Sequence, residues 1–161
     1  MAMSLMDQAM GRMMRQHPFF STFLMLTKIV AVLSIETAAT DMKSIFYNPE
    51  FLASLGSMGL VMFVLAHEMG HIMFMHELRR RGREMELWNI ACDHEINLWL
   101  KEVGFEIWSK CYCDGRFKGM TAEQIYDILK RENEEDKKAG KKSRHSGGDG
   151  IGDEDFEDDE A

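Results

Sequence analysis

The pentapeptide H-E-M-G-H at residues 67–71 constrains this chain more than any other feature, because it lies inside a long apolar run, residues 60–78. Residues four apart stand one turn above each other on a helix, so His67 and His71 present two imidazoles to one point. This geometry is typical of zinc sites in which a third protein ligand completes the set and an open position carries an acidified water. Glu68 is then the general base that deprotonates the water. The motif predicts Zn²⁺ as a cofactor, with His67 and His71 among its ligands.

A solvent-facing polar patch on an otherwise buried helix is the alternative interpretation of the same pentapeptide. Its flanking residues are apolar, with VMFVLA before the motif and IMFM after it. Three polar side chains in such surroundings need partners, because burying a polar group without one is costly. A metal ion supplies those partners, and the metal site is therefore the preferred interpretation.

Length and composition indicate one folded domain followed by a charged tail. The 161 residues, 45% of them hydrophobic, suffice for one domain with a core. Residues 1–133 carry the periodic patterns, whereas residues 134–161 are rich in lysine, glycine and then acid, which is typical of disorder. The net charge of −8 is concentrated near the C-terminus, and no basic stripe is interleaved with aromatics. We therefore expect no nucleic-acid partner.

The number of cysteines and the lengths of the apolar runs bear on location. Three cysteines cannot all pair within one chain, and the N-terminus has no signal-peptide pattern. These features predict a reduced, cytoplasmic protein with free thiols, rather than a metal site built on Cys92, Cys111 and Cys113. The most apolar stretches are interrupted by polar residues well short of the roughly 20 apolar residues of a membrane span. No transmembrane helix is predicted, and no membrane partner is expected.

Apolar periodicity predicts an α+β fold that is mostly helical, with a small β-sheet preceding the helix of the pentapeptide. Strand-like residues lie at 44–47, just before Asn48 and Pro49, which form an N-cap and first-turn proline pair. Residues 28–35 fit either a helix or a strand. Helical spacing or capping signals cover residues 4–15, 19–26, 50–55, 57–81, 84–103 and 121–133.

The third metal ligand is expected on the helix that follows the motif helix, where Asp93, His94 and Glu95 stand in a row. This helix is apolar on most of its circumference, which indicates burial, so its polar side chains need partners. Asn89, Asp93 and Asn97 recur every four residues and form one polar stripe, which a metal and its surroundings would satisfy. Helical phase therefore favours Asp93 over its two neighbours.

His76 follows the pentapeptide by five residues, which places it on a different side of the predicted motif helix. It is expected either at the surface or as a support behind a metal ligand. The extended pattern H-E-x-x-H-x-x-G-x-x-H is absent, which excludes the metzincin class of zinc peptidases.

Six sequence blocks follow one another between residues 17 and 130. They are PFF at 18–20, TAATD at 37–41, YNPEF at 47–51, LAHEMGH at 65–71, LWNIACDHEIN at 87–97 and FKGMTAEQIY at 117–126. Together they resemble the family described as "putative metallopeptidase domain", which is found at the N-terminus of bacterial proteins that also carry a von Willebrand factor A-like domain. The resemblance implies a compact zincin-like fold, zinc on His67 and His71 with Asp93 as third ligand, and Glu68 as the catalytic base.

The sequence departs from this family in one respect, because a short acidic tail stands where the A-like domain is expected. The resemblance implies an ATPase partner, which in the family accompanies the A-like domain. A shortened, methionine-rich version of the domain would suit a phage or mobile element, in which case the protein would act in the host cytoplasm.

The leading functional hypothesis is a zinc-dependent metallopeptidase that acts on a peptide or protein substrate. The edge of the strand near residues 45–47 would hold this substrate in extended form, and Tyr112, Tyr126 and His94 are nominated to stabilise the oxyanion. The alternatives are a non-catalytic, zinc-stabilised regulatory or protein-binding module and a helical structural protein without metal. A glutamate beside an open position favours catalysis, because structural zinc is normally closed by four protein ligands.

Overall fold

The computed structural model describes residues 2–146, which form seven α-helices, three short strands and one 3-10 turn. The predicted fold class is confirmed: the protein is a compact, mostly helical α+β domain with a small sheet before the motif helix. In chain order the elements are α1 (Leu5–Gln16), α2 (Pro18–Met25), β1 (Lys28–Ala31), β2 (Ala38–Thr40), β3 (Ser44–Tyr47), α3 (Pro49–Ser54), α4 (Met58–Met73), α5 (His76–Arg80), α6 (Met85–Glu102), the 3-10 turn Gly115–Phe117 and α7 (Ala122–Lys138).

Side-chain caps fix where several of the helices begin. Ser4, Asn48, Ser57 and Thr121 each accept a hydrogen bond from a backbone N–H in the first turn that follows. Such a cap satisfies a donor that the helix itself leaves open and is worth about 1 kcal/mol. The cap at Asn48 was expected from the sequence and is confirmed.

The sheet has the order β1-β3-β2, with β1 parallel and β2 antiparallel to β3. Of residues 28–35, which fitted a helix or a strand, Lys28–Ala31 form β1. The expectation that residues 45–47 offer an exposed edge is wrong, because β3 is the central strand and pairs on both sides. The edges of this sheet are β1 and β2.

Helix α4 lies at the centre of the main hydrophobic core, and residues 61–70 are all buried. Helix α6 packs closely on α4 at Gly70, where an added Cβ would lie only 2.9 Å from Cγ2 of Ile96. This close approach positions the two helices that carry the candidate ligands. Among residues 2–146, α4 included, no helix is both long enough and apolar enough to cross a membrane.

The motif helix is shorter than predicted, and its predicted continuation to residue 81 is wrong. Helix α4 ends at Met73, and Met75 adopts a left-handed backbone conformation with φ 54° before α5 begins at His76. Left-handed backbone is unfavourable for a residue with a side chain, so surrounding contacts must stabilise this break. One such contact is the hydrogen bond that Trp88 Nε1 donates to the carbonyl of His76 at 2.9 Å.

The C-terminal helix α7 packs on α6 and extends to Lys138, five residues beyond the predicted end at residue 133. Beyond it, Arg144 pairs with Asp136 at 2.7 Å and His145 with Glu132 at 2.7 Å. Most of the predicted disordered tail, residues 147–161, lies outside the described residues, so the division into domain and tail remains a prediction.

A second hydrophobic cluster joins α6, α7 and the 3-10 turn through Leu87, Trp88, Ile90, Ala91, Cys92, Phe117, Ala122, Ile125, Tyr126 and Leu129.

Candidate metal centre

Three side chains from two helices meet at one point. His67 and His71 lie one turn apart on α4, and their Nε2 atoms are 3.1 Å from each other. Oδ1 of Asp93 on α6 lies 3.1 Å from the Nε2 atom of His67 and 3.3 Å from that of His71. The structure therefore brings together the three residues that the sequence nominated.

The spacing of these three atoms matches a metal site. Ligand bonds of about 2.0–2.1 Å in a tetrahedron place neighbouring ligand atoms about 3.3 Å apart. Two imidazole nitrogens and one carboxylate oxygen are also the kind of donor set that zinc prefers. In the part of the chain that the structure describes, these residues form the one group of histidine, cysteine and acidic side chains with such spacing. The residues present thus fit a zinc ion and would supply three of its four tetrahedral ligands.

The electrostatics of the cluster favour a cation. Burial opposes ionisation of Asp93, but the charge of His67 and hydrogen bonds from both imidazoles lower its pKa to about 2. Burial disfavours a charged His67, yet Asp93 and then Glu68 raise the pKa of His67 to about 9. Burial lowers the pKa of His71 to about 4. Positive charge between these side chains is therefore stabilised, and a metal ion would meet the same demand.

Asn97 determines which nitrogen of His67 faces the cluster. Its side-chain Nδ2 donates to the carbonyl of Tyr112 at 2.8 Å, so Oδ1 is the acceptor that remains, 2.7 Å from Nδ1 of His67. Nδ1 of His67 must then carry the proton and donate it. Nε2 is then the nitrogen that faces Asp93, and it can bind a metal once it has released the proton that the raised pKa of His67 keeps there. The fully buried Asn97 is thus one of the polar partners expected from the polar stripe.

Glu68 is fully buried beside the cluster, on the same helix as the two histidines. Its negative charge is one of the causes that raise the pKa of His67. Glu68 does not belong to the group of three candidate ligands. Its carboxylate is therefore not among the side chains whose donor atoms meet at this point.

The two neighbours of Asp93 are directed elsewhere. Nδ1 of His94 accepts a hydrogen bond from the backbone N–H of Asp114 at 3.1 Å, and its ring packs on Phe117. Burial lowers the pKa of His94 to about 4. Glu95 binds Arg79 at 3.1 Å, so its carboxylate faces α5. Helical phase therefore identified the residue that joins the cluster correctly.

The structure places one further histidine, His76, in contact with the candidate ligand His71. His76 is 3% exposed, so its expected surface position is wrong, whereas the expected support of a ligand is what the structure shows. Its Nδ1 lies 3.1 Å from Nδ1 of His71, and its Nε2 lies 2.9 Å from Oε1 of Glu95. No local pattern indicated that Glu95 contacts His76, because this contact depends on the helix break at Met75.

One of the nominated oxyanion residues is held away from the cluster. The hydroxyl of Tyr126 accepts a hydrogen bond from the backbone N–H of Glu84 at 3.1 Å. Glu84 precedes α6 and is nine residues before Asp93, a distance of about 13 Å along a helix. Tyr126 is therefore a poor candidate for stabilising charge at the metal.

The structure is thus a small α+β domain in which an H-E-x-x-H helix and the helix packed against it carry a His-His-Asp cluster that could hold a metal ion. Two histidines and one carboxylate are also the zinc ligands of some metal-dependent hydrolases. The chain belongs to the family described as "putative metallopeptidase domain", whose family model matches residues 3–159. No curated protein and no solved structure matches the chain significantly.

Proposed function

We propose that the protein is a zinc-dependent peptidase that hydrolyses a peptide or protein substrate. His67, His71 and Asp93 would hold the zinc, and Glu68 would serve as general base. The observation that carries this proposal is the three-donor cluster, in which the ligand atoms lie 3.1–3.3 Å apart. Membership of the family supports the same activity.

Bound zinc would supply a Lewis acid that acidifies a water molecule and polarises the scissile carbonyl. Glu68 accepts the proton of this water at its carboxylate and can return it to the leaving amine. The carboxylate is suited to that task because it is buried next to the ligands and is not one of them. Asp93 and the two imidazoles keep their donor atoms together, since α4 and α6 are rigidly packed core helices.

A zinc-stabilised module without catalysis is the competing function. Structural zinc is normally held by four protein ligands, whereas the candidate group of described side chains has three members. The open position therefore favours hydrolysis. An ATPase partner, a phage origin and action in the cytoplasm remain predictions from the sequence.

Replacing Glu68 with Gln tests the proposed chemistry. The amide has nearly the same size but cannot accept the proton of the water, so peptide cleavage should fall by roughly 10²–10⁴-fold while zinc stays bound. Cleavage of a peptide library by zinc-loaded protein and the zinc content of the same samples are the measurements. Glu77→Gln is the matched control, because Glu77 lies on the neighbouring helix α5 with its side chain 61% exposed.

Full cleavage by zinc-loaded Glu68→Gln would contradict the role of Glu68. A parent protein that binds one zinc per chain but cleaves no peptide of the library would contradict the peptidase proposal and favour the non-catalytic module.

A further inference from the structure

We propose that His76 is a positioning residue that fixes the proton of His71 on Nδ1, and that Glu95 in turn fixes the orientation of His76. The proposal rests on the zinc site of the proposed function, but it concerns metal binding rather than peptide cleavage. Two contacts connect the candidate ligand His71 to His76 and then to Glu95. Nδ1 of His71 lies 3.1 Å from Nδ1 of His76, and Nε2 of His76 lies 2.9 Å from Oε1 of Glu95.

The proton positions along this chain follow from the acceptor at its end. An ionised carboxylate can only accept, so Nε2 of His76 donates to Glu95. A neutral His76 then has its lone pair on Nδ1, which accepts the proton carried by Nδ1 of His71. His71 is left with a lone pair on Nε2, the atom that faces His67 and Asp93. The contact thus selects the tautomer that can bind a metal.

Glu95 is itself held by two helices besides its own. Arg79 on α5 places one guanidinium nitrogen 3.1 Å from Oε1 and the other 3.3 Å from Oε2. The backbone N–H of Ala122, at the start of α7, donates to Oε2. Arg79 also pairs with Glu123 of α7 at 2.6 Å. These contacts hold the carboxylate in place beside His76.

His76 performs for His71 what Asn97 performs for His67. Each ligand imidazole has an acceptor at Nδ1, from Asn97 Oδ1 in one case and from His76 Nδ1 in the other. His76 reaches this position because the chain breaks at Met75 and restarts there as α5. Both ligands therefore present Nε2 to the same point before a metal arrives, which avoids the cost of reorienting them.

Two substitutions at His76 separate this role from a packing role. His76→Leu removes the acceptor, and zinc affinity should fall by roughly 10–100-fold, the usual effect of losing a partner behind a metal ligand. His76→Asn places Oδ1 near the position of the original Nδ1, as Asn97 does for His67, and should recover most of the affinity. Competition with a chromophoric zinc chelator measures the affinity without any peptide substrate.

A spectroscopic measurement reads the tautomer itself. In the zinc-loaded parent, ¹⁵N correlation spectra of the histidine side chains should show the proton of His71 on Nδ1. His145→Asn is the control variant, because His145 forms a histidine–glutamate contact of the same kind with Glu132 at 2.7 Å, away from the cluster. That variant should bind zinc as the parent does.

Parent-like zinc affinity in folded His76→Leu would overturn the proposal, as would a proton on Nε2 of His71 in the zinc-loaded parent. An equal loss of affinity in His76→Asn and His76→Leu would overturn the acceptor role. If His76→Leu does not fold, the Asn variant and the spectrum of the parent still decide. A protein that binds zinc as expected but cleaves nothing would contradict the proposed function and leave this inference standing.

Discussion

Both polar atoms of one buried side-chain amide, that of Asn97, make hydrogen bonds at the candidate metal centre. Asn97 is fully buried, and its two polar atoms bind His67 Nδ1 and the carbonyl of Tyr112. An interior group of this kind is costly to leave unsatisfied, so its presence is explained by the ligand that it orients. Asn89 belongs to the same polar stripe of α6 but is only half-buried.

Replacing Asn97 with Ala should therefore impair metal binding and stability together. The buried N–H of His67 and carbonyl of Tyr112 lose their partner, which should lower the free energy of unfolding by about 1–3 kcal/mol. Zinc affinity should fall by roughly 10–100-fold. Urea denaturation and a zinc competition titration measure the two effects, with Asn89→Ala as the control. If both variants bind zinc equally well, Asn97 does not orient His67.

The residues that could be placed from the sequence are those whose positions follow from the periodicity of one helix. His67 and His71 share a face because they are four residues apart, and Asp93 was selected by the phase of α6. His76 and Glu95 could not be assigned in this way. Their contact depends on left-handed backbone at Met75, where no glycine or proline marks a break.

At the scale of elements, the site depends on how closely α4 and α6 approach each other. Gly70, inside the H-E-x-x-H motif, allows this approach, since a Cβ there would lie 2.9–3.3 Å from three side-chain carbons of Ile96. Helix α4 carries the two imidazoles and α6 carries Asp93. The separation of the helices therefore also sets the distances between the ligand atoms.

Gly70→Ala should destabilise the fold and loosen the site. Overpacking costs roughly 1–3 kcal/mol, which outweighs the gain of up to about 1 kcal/mol that alanine brings to a helix. Zinc affinity should decrease as well. Gly11→Ala in α1 is the control, because its Cβ would meet only the end of Arg15 at 3.9 Å and should stabilise the protein slightly. Thermal unfolding and zinc titration of both variants provide the comparison, and a Gly70→Ala protein as stable as Gly11→Ala would contradict tight helix packing.

The helices were easier to predict from the sequence than the sheet. Caps and periodicity located most helix starts, and the strand at residues 44–47 was predicted at its observed bounds. The order of the strands is set by tertiary pairing, which no local pattern encodes, so β3 was wrongly expected to offer an edge. The extension of α7 was missed because residues 134–138 are charged and have no apolar stripe.

At the scale of the whole molecule, α6 links the two parts of the core. Its Ile96 and Leu100 belong to the cluster around α4, while Leu87 and Trp88 belong to the cluster shared with α7. Asp93 lies between these two sets of residues along the helix. The length and hydrophobic content of the chain predicted one folded domain, since 161 residues can bury one core of this size.

We expect α4 and α6 together to bind one metal ion through His67, His71 and Asp93. A zinc competition titration of the parent and of Asp93→Ala tests it most directly, with Asp127→Ala on the exposed face of α7 as the control. The parent and the control should each bind one zinc per chain. Asp93→Ala should bind at least about 100-fold more weakly, since losing a ligand costs more than losing a supporting contact. A parent that binds no stoichiometric zinc, or an Asp93→Ala variant that binds it equally well, would contradict the claim.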